Sequence, residues 1–387
     1  MPAFIPYGRQ WIGADDIRAV RSVLKSSFIA QGTCVDRFES ELCKLTGAKY
    51  CVAVSSGTAA LHLAALALDM PSGSEGITSP NTFVASSNAL IYGGVKPVFA
   101  DIDSRTYNID PAEVEKKLTN KTKVIIAVDF AGQPAQMEKI YAMAKKKKIA
   151  VIEDAAHAIG SVYKNGSRVG SCRYSDMTTF SFHPVKTITT GEGGAVTTNN
   201  KALYKKLTLL RSHGITKIAS DLSMNPGPWY YEMQMLGFNY RMTDIQAALG
   251  VSQLKKLARF VGRRRRIVNR YNEAFRNLPN LALPFEAEGV KSAFHLYVLK
   301  IDFKKIGLSR KQVMEKLKQM GVGTQVHYIP VHLQPYYKKN FGYKKGNFPI
   351  CEEYYEQALS FPLFPKMTER DVRLVIKSVG KVVDGKA

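Results

Sequence analysis

The stretch Thr179-Phe-Ser-Phe-His-Pro-Val-Lys-Thr-Ile-Thr-Thr-Gly-Glu-Gly-Gly194 joins two apolar segments and carries a single lysine, Lys186. The run Thr178–Phe182 alternates hydroxyl and apolar side chains as a strand does, and Ala195–Thr198 is typical of a second strand. A proline and the glycine-rich turn Gly191–Gly194 separate the two. The pattern predicts that Lys186 lies on a turn between buried strands, where a desolvated amine loses its proton readily and becomes a nucleophile. An ordinary lysine on a surface turn fits the same pattern, and the surrounding segments must decide between the two.

Short, continuous apolar segments separated by helical patterns precede this stretch. Such segments are typical of strands that are buried on both faces of a mainly parallel sheet. The predicted strands are Tyr50–Val54, Gly76–Thr78, Pro97–Asp101, Lys123–Asp129, Ile149–Asp154, Thr178–Phe182 and Ala195–Thr198, and the helices between them are Thr58–Leu68, Thr82–Tyr92, Pro111–Leu118 and Gln136–Lys147. The sequence therefore predicts an α/β fold with a mainly parallel seven-stranded sheet flanked by helices.

The pattern changes in the last third of the chain. The polar segment 215–237, broken by prolines, is expected to be an excursion loop, and a long helix is predicted from near Met242 past Leu257. Strands and helices then alternate, with strands expected at His295–Ile301 and Thr324–Tyr328. We expect a large α/β domain at residues 1–255 and a smaller C-terminal α+β domain at residues 256–387. A packing of the N-terminal lead on the smaller domain is left open.

Composition and short motifs exclude several classes of protein. No apolar run reaches the roughly 18–20 residues that span a bilayer, so no membrane partner is expected. The start Met1-Pro-Ala-Phe-Ile-Pro6 lacks the charged end and apolar core of a signal peptide. The five cysteines form no C-x-x-C pair, and the seven histidines form no H-E-x-x-H motif. We therefore expect a cytoplasmic protein with reduced thiols and no metal site.

The chain carries a large positive net charge, which an anionic ligand or another cause must explain. The chain has 55 Lys and Arg against 32 Asp and Glu, a formal charge of +23. Nucleic acid, an anionic small molecule or a lysine-rich composition would each account for it. The densest runs, Lys145–Lys148 and Arg263–Arg266, fit a helix C-terminus and a solvated helix face. Because no zinc finger, RNP or helix-turn-helix motif accompanies them, we expect no nucleic-acid partner.

Two segments before predicted helices are candidates for binding an anion. Ser55-Ser-Gly-Thr58 runs directly into a helix, whose free N–H groups, dipole and hydroxyls favour an anion. An ordinary N-cap explains the same residues equally well. Asn239 and Arg241, in the segment before the long helix, serve either an anion or the helix cap.

Two more side chains follow strands at the edge of the sheet where ligands of open α/β folds bind. Phe83 offers a ring on which a flat ligand stacks, although a core aromatic is the simpler alternative. Asp154 closes an apolar strand, where a buried acid needs a cation or donor; the spacing leaves adjacent Glu153 as an alternative. With Lys186 and the anion site, these are the parts of a pyridoxal-phosphate site, which needs a Schiff-base lysine and an acid for the pyridine nitrogen.

The same motifs resemble those of the DegT/DnrJ/EryC1/StrS sugar aminotransferases, which are fold-type I pyridoxal-phosphate enzymes. The resemblance covers nearly the whole chain and rests on Ser56-Gly-Thr-Ala-Ala-Leu-His62, Pro80-Asn-Thr-Phe-Val-Ala85, Glu153-Asp-Ala-Ala-His-Ala-Ile-Gly160, Ser181–Gly194 and Asn239-Tyr-Arg-Met242. It implies a fold-type I transferase with pyridoxal 5′-phosphate as its cofactor. Some relatives carry histidine at the lysine position and act as dehydratases, and Lys186 argues against that branch.

The resemblance also implies a role for each candidate residue. Lys186 would be the catalytic residue joined to the cofactor, Asp154 would pair with the pyridine nitrogen, and Phe83 would stack on the ring. His157 would lie near the phenolic oxygen. The phosphate would be held by Ser56, Gly57, Thr58 and Ser181, together with Asn239 from the other subunit. The candidates for binding the sugar nucleotide are Tyr7, Lys25, Gln31, Arg241, His327 and Tyr328.

Later segments narrow the expected substrate. Leu249–Lys256, His295-Leu-Tyr297 and Gly323-Thr-Gln-Val-His-Tyr328 resemble the branch that acts on a UDP-linked 4-keto-6-deoxy-N-acetylhexosamine in pseudaminic acid biosynthesis. The resemblance implies a homodimer with its active site at the subunit interface, which transfers an amino group from L-glutamate to the C4 keto group of this UDP-ketosugar. The alternatives are an aminotransferase for another nucleotide sugar or a C3 keto group, another fold-type I activity such as an amino-acid lyase, and a non-catalytic regulatory protein.

Overall fold

The computed structural model describes residues 4–383, in which helices and strands alternate along most of the chain. The helices are α1 (Ala14–Leu24), α2 (Thr33–Thr46), α3 (Gly57–Leu66), α4 (Val84–Tyr92), α5 (Pro111–Lys117), α6 (Met137–Lys146), α7 (Lys201–Arg211), α8 (Asp244–Leu254), α9 (Leu257–Phe275), α10 (Arg310–Gln319), α11 (Pro335–Phe341), α12 (Pro349–Gln357) and α13 (Glu369–Val383). The strands are β1 (Tyr50–Val54), β2 (Glu75–Thr78), β3 (Lys96–Phe99), β4 (Thr122–Val128), β5 (Ala150–Asp154), β6 (Met177–Ser181), β7 (Gly194–Thr198), β8 (Ile215–Thr216), β9 (Glu232–Met233), β10 (Leu281–Ala282), β11 (Tyr297–Ile301) and β12 (Ala358–Phe361).

The first seven strands form one sheet in the order β1-β7-β6-β5-β4-β2-β3. Strands β2 to β6 pair in parallel, whereas β7 runs antiparallel to both β1 and β6. The predicted α/β fold with a mainly parallel seven-stranded sheet is thus confirmed. In this register Asp154 lies opposite Thr179, so that the end of β5 meets the β6–β7 connection that carries Lys186.

Both faces of the sheet are covered by helices, which explains why its strands are continuously apolar. Val151 belongs to the hydrophobic cluster that contains residues of α2, α6 and α8. The next residue, Ile152, belongs to the opposite cluster, which contains residues of α3, α4 and α7. Because successive strand side chains point to opposite faces, a sheet buried on both sides needs apolar residues at every position.

The C-terminal part of the chain has its own core. Strands β10, β11 and β12 form an antiparallel sheet, and residues of α9, α10 and α13 pack together with it. Ile5 joins this same cluster, and its N–H donates to the carbonyl of Gly321 at 2.8 Å. The N-terminal lead thus packs on the C-terminal region.

Two predicted elements differ from the structure. The long helix predicted past Leu257 is two helices in the structure, α8 and α9, with Lys255 and Lys256 between them. At this break the buried amine of Lys256 binds Asp15 and Asp16 near the start of α1. The predicted strand Thr324–Tyr328 is also absent. Gln325 alone pairs with Ser360, after which the chain turns His327 and Tyr328 toward a cavity.

Three features of the described residues concern membrane spanning, metal binding and disulfide bonds. Between residues 4 and 383, no helix is both long and apolar enough to cross a bilayer. Over the same residues, no three His, Cys, Asp or Glu side chains are grouped to hold a metal ion. All five cysteines are free thiols.

Candidate active site

A cavity of about 430 Å³ lies at the carboxyl edge of the sheet, where β5 and β6 end and α3 and α4 begin. The C-terminal segment that carries His327 and Tyr328 closes one side of it. The structure brings most of the sequence-predicted site residues together here. Those that line the cavity are Tyr7, Ser56, Gly57, Thr58, Phe83, Asp154, His157, Ser181, Lys186, His327 and Tyr328.

The start of α3 presents hydrogen-bond donors to the cavity. Ser56 is the N-cap of this helix, and its Oγ accepts the N–H of Ala59 at 3.1 Å. The N–H groups of Gly57 and Thr58, in the first turn, have no intrahelical acceptor and remain available for an anion. A Cβ at Gly57 would lie 2.7 Å from the Cβ of Ser181, so glycine is what allows Ser181 to approach the helix. Ser56 therefore caps the helix, and its part in holding an anion remains a prediction.

The two adjacent acids of β5 have different surroundings. Glu153 is fully buried and accepts hydrogen bonds from Tyr163 and, at 2.7 Å, from Thr178 Oγ1. Asp154 points to the other face, where Ser86 Oγ donates to its Oδ2 at 2.6 Å. Because neighbouring strand residues alternate in direction, only one of the pair can face the cavity. That residue is Asp154.

Lys186 projects from the connection between β6 and β7. Its backbone N–H donates to the carbonyl of His183 at 2.9 Å, and Thr190 N–H returns to the carbonyl of Phe182 at 3.0 Å, which closes the turn. Burial lowers the pKa of the Lys186 amine to about 8, although the Asp154 carboxylate acts in the opposite direction. About a tenth of the amine is therefore uncharged at pH 7, far more than for an ordinary lysine, and the uncharged form is the nucleophile.

His157 and Tyr328 meet above the cavity. Nδ1 of His157 accepts the N–H of Ala131 at 3.3 Å, and Nε2 lies 3.1 Å from the hydroxyl of Tyr328. Burial lowers the pKa of His157 well below its ordinary value, and it lowers the pKa of His327 to about 3. Both rings are therefore neutral at physiological pH.

Among the other residues of the cavity wall, Ser86 and His295 are two polar side chains that were not predicted from the sequence. Ser86 contacts Asp154, and His295 lies with its ring centroid 4.4 Å from that of His157. A signal existed for Ser86, because a residue three positions after Phe83 lies on the same side of a helix. His295 stands at the start of a predicted strand, in a pattern that says nothing about its distance from the lysine.

Four predicted residues lie outside this cavity. Lys25, Gln31 and Asn239 are exposed and Arg241 is partly buried. Gln31 lies beside the start of α8, because Ala30 pairs with Thr243 and Asp244 N–H donates to the carbonyl of Ile29. Their roles in binding cofactor or substrate remain predictions.

The residues present fit pyridoxal 5′-phosphate. An amine that deprotonates near neutral pH, a buried acid and a donor-rich cradle surround one cavity. Phe83 is the N-cap of α4 and is 57% exposed, so it is not a core aromatic; its ring lines the cavity and is available for stacking. The Lys186 amine, the Asp154 carboxylate and the Gly57–Thr58 N–H groups would hold the aldehyde, the ring nitrogen and the phosphate respectively.

Comparisons with known proteins agree with this chemistry. The chain matches the DegT/DnrJ/EryC1/StrS aminotransferase family over residues 10–380. It is 44% identical over 383 residues to the spore coat polysaccharide biosynthesis protein SpsC of Bacillus subtilis, covering 99% of this chain and 98% of that protein. Helicobacter pylori PseC, an aminotransferase involved in the biosynthesis of pseudoaminic acid, superposes with a TM-score of 0.92 at 32% identity, covering 99% of this chain and 100% of that one.

A further solved relative bears on the cofactor. A Streptococcus pneumoniae protein described as a sugar aminotransferase superposes in its PLP form with a TM-score of 0.90 at 31% identity, covering 99% of each chain. The same protein has been solved in its PMP form. These are the aldehyde and amine states between which a transaminase cycles its cofactor. The match over residues 10–380, together with the lysine and acid in the cavity, leads to one conclusion: the chain belongs to the DegT/DnrJ/EryC1/StrS family and is a pyridoxal-phosphate-dependent sugar aminotransferase.

Proposed function

We propose that this enzyme transfers an amino group from L-glutamate to the C4 keto group of a UDP-4-keto-6-deoxy-N-acetylhexosamine. The observation that carries the transaminase chemistry is Lys186, an amine with its pKa lowered to about 8 in a cavity that also contains Asp154. Support for the substrate comes from PseC, which has a role in pseudoaminic acid biosynthesis and aligns over 99% of this chain.

Different residues of the cavity would have different roles in transamination. Bound pyridoxal phosphate supplies an aldehyde that carries the amino group and a ring that accepts electrons from the reacting carbon. The negative charge of the Asp154 carboxylate would keep the ring nitrogen protonated. Hydrogen bonds from Ser86 and from the Ala156 N–H hold the two carboxylate oxygens in place for this contact. Lys186, with a pKa of about 8, is suited to take up and return a proton at the reacting carbon near neutral pH.

His157 would serve the cofactor's phenolic oxygen. Its Nδ1 accepts from the backbone of Ala131, so the neutral ring carries its proton on Nε2. That N–H faces the hydroxyl of Tyr328 at the cavity, and an oxygen anion bound there would share it with Tyr328. A neutral donor at this position stabilises negative charge on oxygen without adding a positive charge next to Lys186.

We infer that the active unit is a homodimer. Within the described residues no arginine lines the cavity, although a UDP-sugar and glutamate both bring anionic groups. Segment 218–236 exposes large apolar side chains, among them Trp229 at 69% and Leu236 at 77%, as an interaction surface does. Exposed Asn239 follows this segment, and in the proposed dimer it would serve the partner's cofactor.

An assay with defined substrates tests the proposed reaction. The purified holoenzyme is incubated with L-glutamate and the UDP-4-keto sugar, and 2-oxoglutarate and the aminosugar are measured by mass spectrometry. We expect both products in equal amounts from wild type and neither from Lys186→Ala, which should also lose the absorbance of the lysine-linked cofactor. Normal turnover by Lys186→Ala, or activity with a C3-keto sugar alone, would overturn the proposal. Light scattering at assay concentration tests the dimer.

A second candidate is an aminotransferase for a different nucleotide sugar. It is favoured by the 44% identity to SpsC, a spore coat polysaccharide biosynthesis protein, which exceeds the 32% identity to PseC. The same assay with 4-keto sugars linked to dTDP in place of UDP separates the two. A kcat/KM higher for the dTDP-sugar than for the UDP-sugar would favour this candidate.

A further inference from the structure

Two buried hydroxyl groups at the start of α4 lead to the carboxylate of Asp154. Ser86 Oγ lies 2.6 Å from Asp154 Oδ2, and Thr82 Oγ1 lies 2.7 Å from Ser86 Oγ. Ser86 is 1% and Thr82 is 2% exposed, so water competes little for either hydroxyl. The other carboxylate oxygen, Oδ1, accepts the N–H of Ala156 at 3.1 Å.

The direction of these hydrogen bonds follows from the chemistry of the groups. An ionised carboxylate can only accept, so Ser86 donates its single hydroxyl proton to Asp154. Ser86 Oγ is then left to accept, and the hydroxyl of Thr82 donates to it. Hydroxyls aligned in this way polarise one another and strengthen the bond that ends on the carboxylate. Thr82, Ser86 and Asp154 thus form a chain with one direction.

Helix geometry explains why Ser86 and the exposed ring occur together. Phe83 is the N-cap of α4 and lines the cavity, and Ser86 lies three residues later on the same side of the helix. The next residue, Ser87, is equally buried but turns away, with its Oγ 2.6 Å from the hydroxyl of Tyr337. Ser87 is therefore a matched neighbour that does not touch Asp154.

The surroundings of Asp154 make its protonation state depend on its donors. Burial raises the pKa of Asp154, whereas the hydrogen bonds from Ser86 and the Ala156 N–H and the charge of Lys186 lower it. Burial and, in addition, the charge of Asp154 raise the pKa of Asp129, which follows β4, and of Tyr328, from the C-terminal segment. Ser86 is thus one of few groups that favour the carboxylate over the acid.

We propose that Ser86, aligned by Thr82, is a positioning residue that fixes the Asp154 carboxylate toward the ring nitrogen of the bound cofactor. This inference rests on the proposed role of Asp154. Loss of the Ser86 hydroxyl leaves Oδ2 without its donor and the carboxylate free to rotate. Such a carboxylate holds the cofactor less tightly and takes up a proton at a higher pH.

The first experiment compares Ser86→Ala with Ser87→Ala. Apoenzyme is titrated with pyridoxal 5′-phosphate to obtain the cofactor Kd, and the pH dependence of kcat is measured for the holoenzyme. We expect Ser86→Ala to raise the Kd about tenfold, as for the loss of one charge-assisted hydrogen bond. We also expect the acidic limb of its kcat profile to move to higher pH. Ser87→Ala should change neither, and identical behaviour of the two variants overturns the proposal.

A second variant keeps the test decisive if Ser86→Ala does not fold. Thr82→Val removes the hydroxyl that aligns Ser86 while leaving Ser86 itself in place. We expect a rise in the cofactor Kd of about threefold, because only the polarisation of the last bond is lost. An unchanged Kd together with an unchanged acidic limb would contradict the proposed alignment.

A double-mutant cycle separates this inference from the function on which it depends. In the Asp154→Asn background, Ser86→Ala should change the cofactor Kd by less than twofold, because the charged carboxylate that Ser86 positions has gone. A tenfold effect in both backgrounds would mean that Ser86 acts independently of Asp154. If Asp154→Asn alone has the cofactor Kd and kcat of wild type, the proposed role of Asp154 is wrong, whereas a defect there with no defect in Ser86→Ala rejects only the role of Ser86.

Discussion

The hydroxyl of Tyr328 lies 3.1 Å from Nε2 of His157 and joins the C-terminal segment to the loop that follows β5. Ala131 N–H occupies the other ring nitrogen at 3.3 Å, so His157 donates through Nε2. The backbone of Ala131 thus sets the tautomer of His157, and Tyr328, 171 positions away in the sequence, accepts the resulting Nε2–H. A change at Tyr328 is therefore expected to act on the chemistry through His157.

Tyr328→Phe tests this relationship. We expect kcat to fall about tenfold with little change in cofactor affinity, because His157 loses the oxygen that orients its Nε2–H. The absorbance maximum of the bound cofactor should shift, since the hydrogen bonding near its phenolic oxygen changes. The exposed residue Tyr336 provides the control Tyr336→Phe, which should match wild type. An unshifted spectrum and normal kcat in Tyr328→Phe would contradict the expected role.

The pH dependence of cofactor uptake reports on Lys186. Burial lowers its pKa to about 8, so the reactive neutral amine predominates above that value and is lost as the pH falls. We expect the rate of pyridoxal-phosphate capture by the apoenzyme to rise with pH and to level off with a midpoint near 8. Asp154 acts to raise this pKa, so Asp154→Asn should move the midpoint to lower pH. A midpoint near the ordinary lysine value of about 10.4 would show that the amine is not desolvated.

Gly57→Ala tests the anion cradle. The new Cβ would lie 2.7 Å from the Cβ of Ser181, so either the start of α3 or the end of β6 must move. We expect a loss of cofactor affinity of about tenfold or more, measured by titration of the apoenzyme, because phosphate donors are displaced. Gly262→Ala on α9 is the control, since its Cβ meets only the end of Arg266 at 3.8 Å. Equal cofactor affinity in both variants would argue against a phosphate at this helix.

Lys256→Met tests the contact that separates α8 from α9. The Lys256 amine lies 2.5 Å from Asp16 Oδ2, and Asp16 is fully buried. Removing the cation leaves a buried carboxylate without its partner, and we expect a loss of about 3–5 kcal/mol in the free energy of unfolding. Exposed Lys255 provides the control, and Lys255→Met should stay within about 0.5 kcal/mol of wild type by denaturant titration. A similar small effect for Lys256→Met would show that Asp16 is satisfied by its other donors.

The large sheet could be predicted because each of its strands is a short apolar run with its own turn residues. Predicted strands β1 to β7 agree with the structure to within two residues. The strand predicted at Thr324–Tyr328 is absent from the structure. An apolar pattern does not show whether a neighbouring strand is present to pair with it. Only Gln325 finds a partner in β12, and the residues after it turn to the cavity.

By itself, the sequence determined which chemical groups follow which strand. Lys186, Asp154 and the hydroxyls of Ser56 and Thr58 stand at the ends of apolar runs, and those positions depend on local periodicity and turn residues. Only the tertiary structure decided which groups meet. Ser86 reaches Asp154 across 68 positions because α4 packs on β2, β3 and β4, and β4 is the neighbour of β5 in the sheet. Strand order and helix packing depend on contacts that no local pattern contains.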